Sequence, residues 1–382
     1  MVNQRKIKIL RIISRMNVGG PAWQVSVLTR GLDSKRFETL LLSGHVESGE
    51  ADYNKLKDPD LPIHYLSTLA RPLRPWVDLE TLGKIRKRIR QFQPDIVHTH
   101  TAKAGVLGRI AARMEHVPLS VHTFHGHLLH GYFSPLYSQI VRLTEKKLSH
   151  QTNALVAVGE RVRDELLDAG IGTLQKFSVI PPGAKIPELI STKEARESTG
   201  LPTGTPIILF VGRLTNIKRP DRLIEAFIQV KKRIPNALLV IAGEGDQLLE
   251  TKKHAQPLGD SVQFFGWHPN PDILYLAADV VVITSDNEGM PVTLIEAALA
   301  GKPTVTTNVG SAGEVVDNNR TGYVVPAEAS AIAEALIKIL KNPKDHYQMG
   351  EEARSRASSL YSTKRLITDH ENLYSKLIKG SG

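Results

Sequence analysis

The 382-residue chain is 41% hydrophobic and 23% charged, an ordinary balance for a water-soluble globular protein. It has no cysteine, which excludes disulfides and thiolate chemistry, and no apolar run near the roughly 18 residues a membrane span needs. Its length exceeds what one hydrophobic core usually organises, so two domains are expected. The charge is uneven: residues 1–185 hold 27 Lys+Arg against 16 Asp+Glu, and the remainder 22 against 23. A half with an excess of eleven positive charges suits an anionic partner such as nucleic acid, lipid headgroups or a phosphorylated substrate.

The N-terminal segment MVNQRKIKILRIISR is interrupted by Arg11 and has no small-residue cleavage site, so it reads as a first strand rather than a signal peptide. A cytoplasmic chain is expected, with peripheral contact at the inner face of the cell membrane as an option. After KIKILRII (6–13) comes RMNVGGPAWQ, where Gly19-Gly20 forms either a tight turn or a backbone approach to an anion at a helix N-terminus. It is not the G-x-G-x-x-G fingerprint, which argues against a nicotinamide cofactor. FETLLLSG (37–44) and IHYLS (63–67) read as the next strands. DLETLGKIRKRIRQF (78–92) predicts an amphipathic helix with Leu79, Leu82, Ile85, Ile89 and Phe92 inward. Its basic side, with Lys84, Arg86, Lys87, Arg88 and Arg90, fits a solvated face or an anionic membrane surface. Without interleaved aromatics or a recognised binding motif, nucleic acid is not expected.

DIVHTH (95–100) and LSVHTFHG (119–126) bring histidines to strand ends; ten of the fourteen lie in the basic half. His122, His125 and His127 suit a polar ligand contact or a hydrogen-bonded core, whereas a zinc site without thiolates would need three or four ligands. ALVAVG (154–159) and FSVIP (177–181) complete this half. Several of these strands are apolar on both parities, as strands covered by helices on both faces are. Pro181, Pro182, Gly183 and Pro187 then mark a linker.

The rhythm restarts with IILFVGRL (207–214), ALLVIAG (237–243), VQFFG (262–266), VVVITS up to Ser285, PTVTTN (303–308) and GYVVP (322–326). Arg213 and Lys218 follow the first of these strands, just before a helix expected near Pro220. Cations are disfavoured at a helix N-terminus, so their placement suits a diphosphate. In SDNEGMPVTLIEAALAGKP (285–303), Pro291 is expected at the first helical position, Glu288 just outside the helix and Glu296 in its second turn. The apolar segments on either side bury the element, and two carboxylates there call for partners such as ribose or sugar hydroxyls. The last helix, within STKRLITDHENLYSKLIKG, carries Leu366, Ile367, Leu373 and Leu377 on one side.

The order of Gly-Gly, PDIVHTHTAKAG (94–105), T-F-H-G, V-G-R-L-x-x-x-K, G-E-G (243–245), FFGW (264–267) and E-G-M-P-V-T-L-I-E resembles the retaining glycosyltransferases of family 4 over essentially the whole chain. The resemblance implies an α/β, GT-B fold: two Rossmann-like doubly wound domains facing a central cleft. Residues 1–185 would be the acceptor-binding domain and 186–362 the nucleotide-sugar domain, with 363–382 a helix crossing back to the first. It implies transfer of a sugar from a nucleotide-diphosphate sugar, the family's commonest being a UDP-sugar, to an acceptor hydroxyl in bacterial cell-surface polysaccharide or glycolipid synthesis. The donor would meet Gly20, Arg213, Lys218, Glu288, Gly289, Met290, Pro291, Val292 and Glu296. Arg213, Lys218, Glu288 and His125 would be the catalytic set, without metal or cofactor. A sugar or lipid-linked acceptor is expected at His100, Lys103 and His127. The linker VIPPGAKI departs from the family's I-P-N-G-[VI]-D, so no contact carries over from those polar positions. An epimerase or phosphorylase on the same fold, and a basic nucleic-acid- or membrane-surface-binding protein, are the alternatives.

Overall fold

A computed structural model describes residues 5–70, 74–126, 135–268 and 270–380, which form two compact units. One comprises residues 1–182 with 363–382, the other residues 183–362; the division falls at Pro182/Gly183, three residues before the expected boundary.

The first unit holds β1 (Ile7–Arg15), β2 (Phe37–Gly44), β3 (Ile63–Tyr65), β4 (Ile96–His100), β5 (Leu119–Phe124), β6 (Ala154–Ala157) and β7 (Phe177–Val179). They make one parallel sheet in the order β3-β2-β1-β4-β5-β6-β7. Alternation along the strands sends Leu10, Ile12, Leu42 and Val97 to one face, where the helices Pro75–Phe92 and Ala102–Met114 supply Ile85, Ile89, Ala104 and Ala111. Gly108 lets the second of these helices lie close, since a Cβ there would sit 2.5 Å from Thr99 Cγ2. Ile9, Ile96 and Val121 face the other way, onto Leu28 of helix Gly20–Gly31 and Leu366, Leu373 and Tyr374 of the last helix, Thr363–Gly380. Gly31 leaves the room that Ile367 fills, and Arg365 donates to the Pro181 and Pro182 carbonyls. Burying a Leu-sized side chain contributes about 1.5–3 kcal/mol, so these contacts fix the C-terminal helix on this unit.

The helix Pro75–Phe92 corrects one expectation. Its buried line is Thr81, Ile85 and Ile89, and Leu79 is 58% exposed because it precedes Thr81 by two residues, on the far side of a 3.6-residue turn.

The second unit holds β8 (Ile207–Val211), β9 (Leu238–Ala242), β10 (Val262–Gly266), β11 (Val280–Ile283), β12 (Thr304–Thr307) and β13 (Gly322–Val325). The order is β10-β9-β8-β11-β12-β13, again parallel. Helices cover both faces: Leu223, Phe227 and Leu336 pack on Ile208 and Val282, while Leu274, Tyr275 and Ala297 pack on Leu209 and Val281. Both sheets reverse direction of growth once, between β1 and β4 and between β8 and β11. In open α/β sheets ligands bind beyond the carboxyl ends of strands at such a reversal.

Candidate active site

In the second unit the loops after β8 and β11 meet at the reversal. Lys218 donates to Glu288 Oε1 at 2.5 Å, and Ser285 Oγ donates to the same oxygen at 2.6 Å. The Glu288 side chain is only 9% exposed, so its charge is held by these two donors rather than by water. Thr284 ties the loops by donating to the carbonyls of Lys218 and Arg219, and the Asp286 amide donates to Ile217 O. Arg222 anchors the same turn through Thr284 O and Asp286. Arg219 sits at φ 53°, strained for a non-glycine residue, with its guanidinium shared by Asp221 and Asp286. It has its own carboxylates. Arg213 is exposed and makes no hydrogen bond or ion pair among the described residues, which leaves its planar fork available to an anion.

The helix after this loop spans Val292–Leu299, with Pro291 as its N-cap and no side chain capping it. Pro291 therefore stands one position before the expected one, its ψ of 118° turning the extended loop into the helix. The first amides of the helix stay open to a ligand and carry the positive end of its dipole. Met290 and Pro291 are buried, and Gly289 and Val292 are partly exposed. Gly310 locks the loop from below: at φ 47° it lies so close that a Cβ would fall 1.8 Å from Glu288 O, and Ser311 N donates to Gly289 O. Glu296, partly exposed, receives a hydrogen bond from Tyr275 OH at 2.8 Å. Burial, with the nearby Glu296 charge, holds that phenol protonated well above its usual range. Sequence reasoning missed Ser285 and Tyr275, whose partners come from three and twenty-one residues away; only the S-x-x-E spacing was a visible signal.

In the first unit the loop after β1 leads into helix Gly20–Gly31, whose N-cap Gly19 makes no side-chain cap and whose first turn has no acidic residue. After β4, Thr101 is held at φ 67°, its hydroxyl bonded to Ser14 Oγ at 2.7 Å. His125, just past β5 and partly exposed, pairs its Nε2 with His100 Nδ1 at 3.0 Å. Behind them lies Arg11, fully buried in β1 and contacting His98 Nδ1 at 3.2 Å, His100 Nε2 at 3.5 Å and Tyr374 OH at 3.3 Å. Burial lowers the pKa of every histidine in this cluster, to about 4 for His125 and about 3 for His370, and Arg11 lowers His98 further. His122 faces away: it bonds Thr99 Oγ1 under Gly105, so it is a packed core histidine. His100 is likewise fully buried and has no surface of its own for an acceptor. Lys103 is spent on Asp78 at 2.5 Å, with its side chain 8% exposed. His127 lies outside the described residues. Among the described residues no group of three His, Cys, Asp or Glu is placed to hold a metal ion. The sequence signal for Arg11 was a lone cation inside the apolar run ILRII.

The second unit matches the family described as glycosyl transferases group 1 over residues 191–356, and the first matches glycosyltransferase family 4 over residues 18–186. Two Rossmann-like units with these matches define a GT-B glycosyltransferase. The chain belongs to glycosyltransferase family 4. It is 26% identical over 331 residues to the UDP-Gal:alpha-D-GlcNAc-diphosphoundecaprenol alpha-1,3-galactosyltransferase of Escherichia coli, covering 84% of this chain and 85% of that one. It is 25% identical to the capsular polysaccharide biosynthesis glycosyltransferase CapM of Staphylococcus aureus, over 87% and 90% of the two chains. The fold is that of Anabaena Alr3699/HepE, solved in complex with UDP and glucose, at TM-score 0.81 and 22% identity over 97% of this chain and all of that one. Sucrose-phosphate synthase from Thermosynechococcus elongatus is as similar in fold, at TM-score 0.81 and 20% identity over 98% and 100%.

Proposed function

We propose that this glycosyltransferase moves a sugar from a UDP-sugar to an acceptor hydroxyl with retention of configuration, in the synthesis of a bacterial surface polysaccharide or glycolipid. The observation that carries the reading is the cation set at the β8/β11 reversal: Arg213, unpartnered among the described residues, Lys218 and a helix start with no side-chain cap, all beside carboxylates suited to hydroxyls. The E. coli and S. aureus relatives, by the names they carry, act on a UDP-sugar and in capsule synthesis, and the HepE complexes hold UDP.

In the proposed reaction the bond from the anomeric carbon to the phosphate oxygen breaks and negative charge builds on the leaving diphosphate. Arg213, Lys218 and the amides following Pro291 stabilise that charge without a metal ion, each preorganised donor contributing about 2.7–4 kcal/mol. The acceptor oxygen forms its bond to the same face of the sugar, and its proton passes to a diphosphate oxygen. Glu296, steadied by Tyr275, takes the ribose hydroxyls; Glu288 positions the donor sugar; Gly20 and His125 are further donor contacts. The acceptor goes to the basic first unit. With His100 buried and Lys103 paired, its anionic group would meet other cations there.

A panel of nucleotide sugars, scored for nucleotide diphosphate release with and without lipid-linked and free acceptors, tests this reading. Release that needs an acceptor is expected, and Arg213→Ala is expected to lower kcat about 10²–10³-fold. Conversion without acceptor, or near-normal rates in both Arg213→Ala and Lys218→Ala, would refute it.

We also propose peripheral contact with an anionic membrane through helix Pro75–Phe92. Trp76 and Leu79 are 84% and 58% exposed there, whereas Arg86 and Arg90 are engaged by Glu115. Co-sedimentation with anionic vesicles should therefore fall more in Trp76→Ser than in Arg86→Gln.

A further inference from the structure

The hydrogen-bond chain behind His125 has a direction. A guanidinium carries five N–H donors and no acceptor, so every nitrogen or oxygen facing Arg11 must accept. His98 Nδ1 and His100 Nε2, the two ring atoms facing Arg11 Nη1, are therefore unprotonated. The rest of each ring agrees. The single lone pair of His98 Nδ1 is shared between Tyr374 OH at 2.6 Å and the more distant Arg11 Nη1 at 3.2 Å, and His98 Nε2 is left to donate to Thr123 Oγ1 at 2.8 Å. The proton of neutral His100 must be on Nδ1, which faces His125 Nε2 at 3.0 Å. His125 Nε2 is then an acceptor, and the proton of that ring sits on Nδ1. That nitrogen makes no hydrogen bond among the described residues.

Register makes this arrangement a property of the sheet. Arg11 is aligned with His98, and Ile13 with His100, so Arg11 and the two β4 histidines share the face covered by helices Gly20–Gly31 and Thr363–Gly380. Among the described residues no carboxylate hydrogen-bonds Arg11; its partners there are His98, His100, Tyr374 OH and Leu28 O. Protonating either β4 histidine would set a donor against the guanidinium in a dry interior; burial first, and neighbouring charges including Arg11 after it, lower the pKa of both rings.

We infer that Arg11 acts as a positioning residue: through His100 it fixes the tautomer of His125, so that His125 offers Nδ1–H to an oxygen of the donor sugar or its phosphate. This rests on the reading of His125 as a donor contact given above. It assigns the histidine a neutral hydrogen-bond donor's role and excludes it as the base for the acceptor hydroxyl, since its one lone pair is occupied by His100.

Two-bond ¹H–¹⁵N spectra of the ¹⁵N-labelled full chain at pH 7, with His125 identified by its loss in His125→Gln, read the tautomer directly. A pyrrole-like Nδ1 and a pyridine-like Nε2 are expected; a protonated Nε2 would overturn the inference. In Arg11→Met the pattern at His125 should collapse to a mixture, and kcat should fall about tenfold or more with KM for the donor nearly unchanged. A retained Nδ1–H tautomer in that variant would also overturn it. Should Arg11→Met fail to fold, His100→Leu breaks the same chain one link later and is expected to give the same spectral change; an unchanged His125 pattern there is equally fatal. Full turnover in His125→Ala would instead remove the reading of His125 as a donor contact, whatever the spectrum shows.

Discussion

Lys218 and Glu288 hold one another at 2.5 Å, so a diphosphate bound as proposed would compete with a carboxylate for the ammonium. Arg213 has no such competitor among the described residues and, in the proposed reading, would offer the stronger initial contact. That asymmetry was not legible in the sequence, where the two cations look equivalent. Glu296 illustrates the reverse: its place in the second turn of the helix could be read directly, but its orientation depends on Tyr275 from another helix. Tyr275→Phe keeps the buried ring and removes only the hydroxyl. It is expected to raise KM for the donor about three- to tenfold, the worth of one hydrogen bond of roughly 0.5–1.5 kcal/mol, with kcat little changed. Steady-state kinetics at saturating acceptor check this.

At the scale of elements, the thirteen strands among the described residues fall where alternating and continuous apolar runs place them, because parallel strands buried on two faces need apolar residues on both parities. What spacing alone does not set is how closely two loops approach. Gly310, in the loop after β12, presses against the Glu288 carbonyl after β11 at a positive φ. Gly310→Ala should displace the loop holding Glu288 and Gly289, lowering stability by about 1–3 kcal/mol in urea unfolding and kcat by at least tenfold. Gly204→Ala, where nothing lies within 4 Å, is the control and should leave both intact. The misreading of Leu79 belongs to this scale too. A helix start at Pro75 and a buried line through Thr81 were decided by the neighbours the helix packs on, and a five-residue apolar stripe could not reveal which of its ends was covered.

At the scale of the molecule, the two units answer acid differently. His98, His100, His122, His125 and His370 all lie in the first unit and all have pKa values lowered by burial. In the unfolded chain each titrates near 6.5, so below that pH the unfolded state binds more protons than the folded one. Stability is thus intact above about pH 6.5 and is lost as pH falls toward the folded values, about 4 for His125 and about 3 for His370. Each such group contributes a slope of up to about 1.4 kcal/mol per pH unit in that window. In the second unit the one histidine whose pKa burial lowers among the described residues is His346. Calorimetry between pH 7 and 4.5 should show one transition, that of the first unit, moving to lower temperature faster than the other.

By itself the sequence determined the two-unit α/β plan, the strand order of events along the chain, and the residue types at the second reversal, since hydrophobic period and loop chemistry are local. The tertiary structure alone decided which charges are available. Arg213, Lys103 and Lys218 look alike along the chain, and even Arg11, set in the apolar run ILRII, does not show its partners there. Packing left Arg213 exposed and unpartnered among the described residues, gave Lys103 and Lys218 to carboxylates, and sealed Arg11 among histidines. The cost of burying a charge or a hydrogen-bonding group depends on what surrounds it, and those surroundings come from strands and helices far apart in the chain.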